Sequence, residues 1–351
     1  MKIITVNASQ KYDVIIGNGL LKNAGEICAE RIGVCKGAII TDSTVDALYS
    51  EILESSLKNA GYEITKFVFE AGEKSKNADT LINILEFLAE SELTRSDCVF
   101  ALGGGVVGDM AGFASAVYLR GIHFVQFPTT LLAAVDSSVG GKTGIDLRAG
   151  KNLAGAFHQP SLVICDPSLL DTLTPEIFAD GCAEVIKYGV INDKPLFDLL
   201  NGGIRNNIEQ IIAQCVKNKS KIVEADEFDN GTRQLLNLGH TVGHAIEKRS
   251  HFEISHGSAV SIGMVIVMRA AIKLGLCKKD RLSLLVDLLK KIKLPVNCSF
   301  SASELASVAL SDKKRKGNTI TLVIPYDIGD SRLLKLPISE LESFIEKGLE
   351  Q

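Results

Sequence analysis

The sequence predicts an α/β first half, a largely parallel sheet covered by helices, followed by a mostly α-helical second half. Three observations carry this. Short apolar runs bounded by Gly and Pro alternate with longer amphipathic runs up to about residue 172. Strand, helix, strand in that rhythm is how parallel sheets are built. From Leu173-Thr174-Pro175-Glu176 onward, helical spacing takes over.

Residues 12–17, 37–41, 62–69, 97–102, 122–127 and 161–165 read as short buried strands. Between them, 44–59, 77–91 and 108–118 read as helices. Thr174 suits an N-cap, Pro175 the first helical position, and Glu176 complements the helix dipole. A domain boundary therefore falls near 172–176, giving domains 1–174 and 175–351. In the second domain, 204–227 carries Ile208, Ile211, Cys215 and Ile222 at helical spacing. Helices over 233–248, 255–274, 281–292 and 302–310 follow, with one small β element at 319–325.

Composition narrows the function. The chain has 351 residues, 46% hydrophobic and 23% charged, enough to bury a sizeable core and too apolar for disorder. Thirty-eight Lys+Arg against 42 Asp+Glu leave a net charge of −4, which argues against nucleic acid as a partner. An anionic ligand must then be met by a local basic cluster. The longest apolar run, 259–272, carries Arg269 and falls short of the roughly 18 residues a membrane span needs. The N-terminal residues show no signal-peptide pattern. Eight cysteines are scattered without a CxxC pair, as expected of a reducing, cytoplasmic compartment.

Three local patterns carry chemistry. The run Gly103-Gly104-Gly105-Val106-Val107-Gly108-Asp109 satisfies GxGxxG between a strand and a helix. Glycines there let the backbone approach a pyrophosphate at a helix N-terminus. The ribose-binding acid expected about 20 residues downstream is absent, and the strand-end acid is Asp42, upstream. The pattern therefore reads either as nucleotide binding on a different plan or as a turn needed for packing. Second, Gly140-Gly141-Lys142-Thr143-Gly144 fails as a phosphate loop of ATPases, because Asp136 stands where a glycine is required and 131–139 reads as helix. Lys142, Lys151 and Asn152 still sit in Gly-rich turns, where ammonium and amide groups meet anions. Third, His240, His244, His251 and His256 fall within 17 residues. His240 and His244 are one helical turn apart, a spacing used by metal-binding pairs. Glu184 and Glu247 are both candidates to complete a divalent site, and spacing alone does not choose between them.

Taken together, Gly103–Asp109, the run Pro128-Thr129-Thr130-Leu131-Leu132-Ala133-Ala134-Val135-Asp136-Ser137-Ser138-Val139-Gly140-Gly141-Lys142-Thr143, Gly150-Lys151-Asn152, residues 183–189, 233–247 and Asp312-Lys313-Lys314 resemble 3-dehydroquinate synthase. The resemblance runs in register from about Asp42 to Lys314. It implies a Rossmann-like NAD-binding domain, an α-helical metal- and substrate-binding domain, and an active site in the cleft between them. It also implies a homodimer that converts the sugar phosphate 3-deoxy-D-arabino-heptulosonate 7-phosphate to 3-dehydroquinate and phosphate, in the shikimate pathway. The implied course is transient C5 oxidation, phosphate elimination, reduction, ring opening and aldol closure, with NAD recycled and Zn²⁺ or Co²⁺ as metal.

By the same resemblance the metal ligands are Glu184, His240 and His256. That makes His244 a substrate-facing residue. NAD contacts fall on Asp42, Gly72, Glu73, Lys76, Gly105, Val106, Val107, Gly108, Asp109, Thr129, Thr130, Lys142, Lys151, Leu169, Leu170, Asp171 and Thr172. Substrate contacts fall on Asp136, Lys142, Asn152, Lys187, Lys219, Arg233, Asn237, His244 and Lys313, among which Lys142, Lys187, Lys219, Arg233, Asn237 and His244 are the implied catalytic group. Arg120 matches an arginine that reaches the phosphate from the other subunit. One departure is visible: Thr44 stands where some members have Asn near the adenosine. Related cyclases acting on other sugar phosphates share metal, cofactor and fold; Lys142, Asn152, Lys187 and Arg233 keep the carboxylate-binding pattern of the dehydroquinate synthases.

Overall fold

Apolar β-branched runs such as Ala38-Ile39-Ile40 form buried strands, and the computed structural model arranges them in one seven-stranded sheet. It describes residues 1–311 and 318–350. The chain divides into two compact units, Met1–Leu173 with Ile212–Phe228, and Thr174–Ile211 with Asp229–Gln351. The sequence reading assigns 212–228 to the second domain. Its packing partners decide otherwise. Lys219 pairs with Asp136 at 2.8 Å, Glu224 accepts from the Asn7 backbone and side chain, and Glu227 accepts from Ser9 and Gln159.

In the first unit, β1 (Lys2–Asn7) and β2 (Lys11–Ile16) form a hairpin. Then come α1 (Ala24–Ile32), β3 (Lys36–Asp42), α2 (Ser43–Val45) running through a wider turn into α3 (Glu51–Asn59), β4 (Glu63–Phe69) and α4 (Ala78–Glu90). β5 (Cys98–Gly103), α5 (Gly105–Val117), β6 (His123–Pro128), the hairpin β7 (Lys142–Leu147) and β8 (Gly150–Phe157), and β9 (Leu162–Cys165) follow. The sheet order is β1-β2-β9-β6-β5-β3-β4, parallel except for β1 against β2. Two apolar clusters cover its faces, one around Phe100 and Phe127, the other around Phe124, Met110 and Leu88. This is the parallel α/β half the sequence predicts.

The second unit is mostly helical. α6 (Pro175–Asn192) starts at a Thr174 cap, whose Oγ1 accepts from Ile177 N at 3.3 Å, with Pro175 in the first position. α7 (Lys194–Leu200) comes next, and α8 (Ile208–Ala225) begins here before continuing into the first unit. α9 (His240–Arg249), α10 (His256–Lys273), α11 (Asp280–Lys291), α12 (Ala302–Ser311), the hairpin β10 (Thr319–Asp327) and β11 (Asp330–Pro337), and α13 (Leu341–Leu349) complete it. α10 is the core helix, with Ala259 to Met268 buried all round. The helix expected over 233–248 is broken: a tight 3₁₀ turn spans Thr232–Asn237, Gly239 takes φ 77°, and α9 starts afresh at His240. No helix among the described residues is long and apolar enough to cross a membrane.

Candidate active site

The chain leaves β3 outward to β4, then returns to β5 on the other side of β3. Ligands of such sheets sit outside the strand C-termini at that reversal. This explains why the glycine run lies on a middle strand with its acid upstream: Asp42 ends β3, and Gly103 ends the neighbouring β5. Asp42 Oδ1 accepts from Thr44 N and Val45 N at 2.9 and 3.0 Å, capping α2. α5 opens at Gly105 with no acid in its first turn, so its N-terminal N–H groups keep their partial positive charge. The run also serves packing, since a Cβ on Gly103 would lie 2.4 Å from Val107 Cγ2.

Thr129 and Thr130 follow β6 beside this loop. Thr129 N donates to Gly103 O at 3.0 Å, while its Oγ1 is buried with no partner among the described residues. An orphaned buried hydroxyl at a strand C-terminus fits a polar ligand there, so the residues present suit a dinucleotide. Thr130 Oγ1 accepts from Ala133 N at 3.2 Å, and the Leu169–Thr172 turn is anchored by Tyr49 Oη, which donates to Leu169 O at 2.9 Å. Leu169 and Leu170 are buried, and Asp171 and Thr172 are exposed. Val107 is buried, and Val106 and Gly108 are half-buried.

A polar network joins this loop to the lysine turn. Lys76, 4% exposed, donates to Asp109 Oδ2 and to Asn152 Oδ1, both at 2.6 Å. Burial pulls Lys76 down, but Asp109, Glu73 and Asp146 outweigh it and its pKa is raised. Burial pushes Asp109 up, and Lys76 opposes that. Gly72 takes φ 114° at the preceding turn, and Lys151 pairs with Glu73 at 3.5 Å. The segment from 142 on, read as turns, is the hairpin β7–β8, with Lys142 exposed at its start. Its glycines mask the strand signal: a Cβ on Gly155 would lie 2.1 Å from Thr143 O. The run 131–139, read as helix, is helical over 131–137, its wider turn at Ala133–Ser137 delivering Asp136 to Lys219. Arg120 is exposed at a strained corner, with Leu119 at φ 49° and Arg120 at φ 69°.

In the second unit three helices converge through glycines. A Cβ on Gly263 of α10 would lie 2.1 Å from Gly239 O, and one on Gly257 would lie 2.1 Å from Asp180 O of α6. Asp180 also caps α10, its Oδ1 accepting from Ser255 Oγ at 2.5 Å and Ser258 N at 3.1 Å. These contacts bring Glu184 of α6, His240 at the start of α9 and His256 at the start of α10 together. Glu184 Oε1 lies 3.6 Å from His240 Nε2 and 3.4 Å from His256 Nε2. Ligands bonded to one tetrahedral divalent ion at 2.0–2.2 Å stand about 3.3–3.6 Å apart, so this donor set fits a metal.

The outer contacts agree. His240 Nδ1 bonds to Leu238 O at 3.0 Å, and burial, with the Lys187 cation, lowers its pKa to about 3, leaving a neutral imidazole. Burial works against the charge of His256, but Glu184 and Glu247 outweigh it and hold its pKa up at about 10. Glu247 Oε2 lies 3.3 Å from His256 Nδ1, the ring's other face. Lys187, 1% exposed, pairs with Glu184. His244 is half-buried, its ring 5.3 Å from His240 and 6.0 Å from His256, and a second ligand-like set is His244, Glu247 and His256. Arg233 is buried and Asn237 half-buried in the turn before α9. His251 is exposed and takes φ 53°. Lys313 lies outside the described residues. Sequence spacing missed the Asp180 cap and the Lys76 bonds; Ser-x-x-Ser at 255–258 was the one local signal of a helix start.

The fold and these two constellations define a dinucleotide-binding enzyme with a divalent-metal centre. Family models described as 3-dehydroquinate synthase N-terminal and 3-dehydroquinate synthase C-terminal match residues 66–180 and 181–315. A 3-dehydroquinate synthase from Clostridium acetobutylicum is 42% identical over 98% of this chain and 99% of its own length. One from Streptococcus thermophilus is also 42% identical over 98% and 99%. In structure the chain resembles the 2-epi-5-epi-valiolone synthase of Streptomyces hygroscopicus subsp. jinggangensis 5008, solved with NAD⁺ and Zn²⁺, at TM-score 0.87 and 28% identity over 96% of each chain. This chain belongs to the 3-dehydroquinate synthase family.

Proposed function

We propose that this chain converts 3-deoxy-D-arabino-heptulosonate 7-phosphate to 3-dehydroquinate and phosphate, using NAD and one Zn²⁺ that Co²⁺ can replace. The observation that carries the reading is the Glu184–His240–His256 triad, spaced for one metal, in a chain whose relatives are 3-dehydroquinate synthases. When bound, the metal acidifies a hydroxyl it coordinates, as Zn²⁺ lowers a water pKa from 15.7 to about 7, and NAD supplies a reversible two-electron acceptor.

The chain's residues do the rest. Glu184, His240 and His256 supply three ligands, and a catalytic metal keeps its further positions for substrate. Asp42, Gly72, Glu73, the 105–109 loop, Thr129, Thr130, Lys151 and the 169–172 turn hold the dinucleotide. Lys142, Lys187, Lys219 and Arg233 meet the phosphate and carboxylate, whose charges need several cations to leave water. Lys219 is kept in place by Asp136, which accepts from its Nζ through both the carbonyl, at 2.6 Å, and the carboxylate. Asn152, Asn237 and Lys313 complete the substrate contacts. His244, beside both metal-ligand imidazoles, exchanges a proton with a substrate hydroxyl. A second copy of the chain supplies Arg120 to the phosphate, which gives the strained 119–120 corner a use. Eight free thiols suit a cytoplasmic enzyme.

The test is to incubate pure protein with NAD, Zn²⁺ and the heptulosonate phosphate, following phosphate and dehydroquinate together. Both products should appear one for one and exceed the NAD present many-fold. NADH accumulating in step with product would instead mark a metal-dependent dehydrogenase.

A further inference from the structure

We propose that Lys76 is a positioning residue that turns the side-chain amide of Asn152, so that its NH₂ is presented to the anionic substrate. The proposal rests on the reading of Asn152 as a substrate contact. An ammonium group offers only donors, so anything bonded to it must be an acceptor. Asn152 Oδ1 lies 2.6 Å from Lys76 Nζ, which fixes the amide oxygen inward and the amide nitrogen outward. Without Lys76 the amide is free to rotate by half a turn, and half of its orientations would face an anion with oxygen.

The backbone is held by the same residues. Asn152 takes φ 53°, uncommon for a residue with a Cβ, and its N–H donates to Asp146 Oδ1 at 2.8 Å. Asp146 N in turn donates to Lys76 O at 2.9 Å. The bonds form a closed ring: Lys76 to Asn152 through the side chains, Asn152 to Asp146, and Asp146 back to the Lys76 carbonyl. Lys76 is buried, and a buried ammonium needs a counter-charge. Asp109 supplies it at 2.6 Å from α5, the helix that opens at the glycine run. The amide is thereby referenced to the dinucleotide loop, although Lys76 and Asn152 are 76 residues apart.

The experiment uses the full chain with NAD and Zn²⁺. The variants are Lys76→Met, Lys76→Arg, Asn152→Ala, Asn152→Asp and the double variant Lys76→Met with Asn152→Ala. Thermal midpoints, the NAD dissociation constant without substrate, and kcat/KM for the heptulosonate phosphate at saturating NAD are measured. Lys76→Met should lower kcat/KM at saturating NAD about tenfold, the worth of one well-placed bond, over and above any loss of NAD affinity. Lys76→Arg, which keeps donors for both partners, should recover most of the loss. Adding Lys76→Met to Asn152→Ala should cost little more, since both remove the same contact. Additive losses, or a collapse of NAD binding with kcat/KM restored at saturating NAD, would overturn the proposal. Asn152→Asp covers the case in which Lys76→Met fails to fold. It keeps the Lys76 bond and loses the outward donor, so it should fold, bind NAD and lose activity as Asn152→Ala does; wild-type activity there refutes the idea. If Asn152→Ala alone leaves kcat/KM unchanged, the substrate role of Asn152 is wrong and the proposal falls with it.

Discussion

Replacing Glu247 by Ala tests whether it is a metal ligand or the support of one. His256 has two ring nitrogens with two carboxylate neighbours: Nε2 is 3.4 Å from Glu184 Oε1, on the side shared with His240, and Nδ1 is 3.3 Å from Glu247 Oε2. On this geometry Glu247 accepts the Nδ1 proton and fixes the tautomer that leaves Nε2 for the metal. Losing such an outer partner costs 10–100-fold in metal affinity. At 3.3 Å the contact is longer than the 2.7–2.9 Å of strong charge-assisted bonds, so the loss should fall at the low end, about 10–30-fold or 1.4–2 kcal/mol. The assay is chelator competition on the reconstituted protein, with the visible spectrum of the Co²⁺ form as a second readout. Glu247→Gln keeps an acceptor and should recover most of the affinity. His244→Ala should retain tight binding, and Glu184→Ala should abolish it. If Glu247→Ala and His244→Ala lose the metal while Glu184→Ala keeps it, the ligands are His244, Glu247 and His256, and the assignment is wrong.

Gly263→Ala should cost at least 1–3 kcal/mol in urea unfolding, because its Cβ would meet Gly239 O at 2.1 Å and force α9 from α10; metal affinity should fall with it. His158 stacks on Phe124, and burial lowers its pKa from the usual 6.5. The unfolded chain therefore takes this proton first, so the His158 contribution is complete above about pH 6.5 and is lost as pH falls through the folded value. Unfolding free energies from urea titrations between pH 7.5 and 5 should decline by at most about 1.4 kcal/mol per pH unit from this residue, and His158→Gln should flatten the decline. Arg120→Ala subunits mixed with His256→Ala subunits should regain activity if Arg120 serves the partner's site; confirmed subunit exchange without activity would rule that out.

The bounds of the six strands read from 12 to 165 each lie within two residues of a strand end in the sheet, but β4, read as buried, is the sheet's edge strand and buries only Phe69. What escaped was set by neighbours. The β7–β8 hairpin is built from glycines and alanines that give no period-two signal, yet its backbones approach so closely that larger residues would not fit. β1 is the hairpin partner of β2 through a turn without Gly or Pro. The break before α9 was legible in Gly239, a residue suited to a left-handed helix end, but the flanking apolar spacing concealed it. The choice between Glu184 and Glu247 was beyond spacing altogether, since it turns on which face of the His256 ring each carboxylate meets.

The placement of Glu184, His240 and His256 has an electrostatic consequence. His240 and His256 are the first residues of α9 and α10, so both imidazoles sit at helix N-termini, where partial positive charge gathers. Lys187 adds a buried cation on the same α6 face as Glu184. A divalent ion would be repelled by all three. Glu184 and Glu247, both almost wholly buried, are what offset them, and their burial makes each negative charge count for more than it would in water. A bound metal would restore a net positive field. A chain with net charge −4 can thereby keep one strongly cationic locality. That locality suits a substrate bearing phosphate and carboxylate. The two histidines meet a metal differently: His240, lowered to about 3, has no proton to expel, whereas His256, held up at about 10 by Glu184 and Glu247, gives one up to bind it.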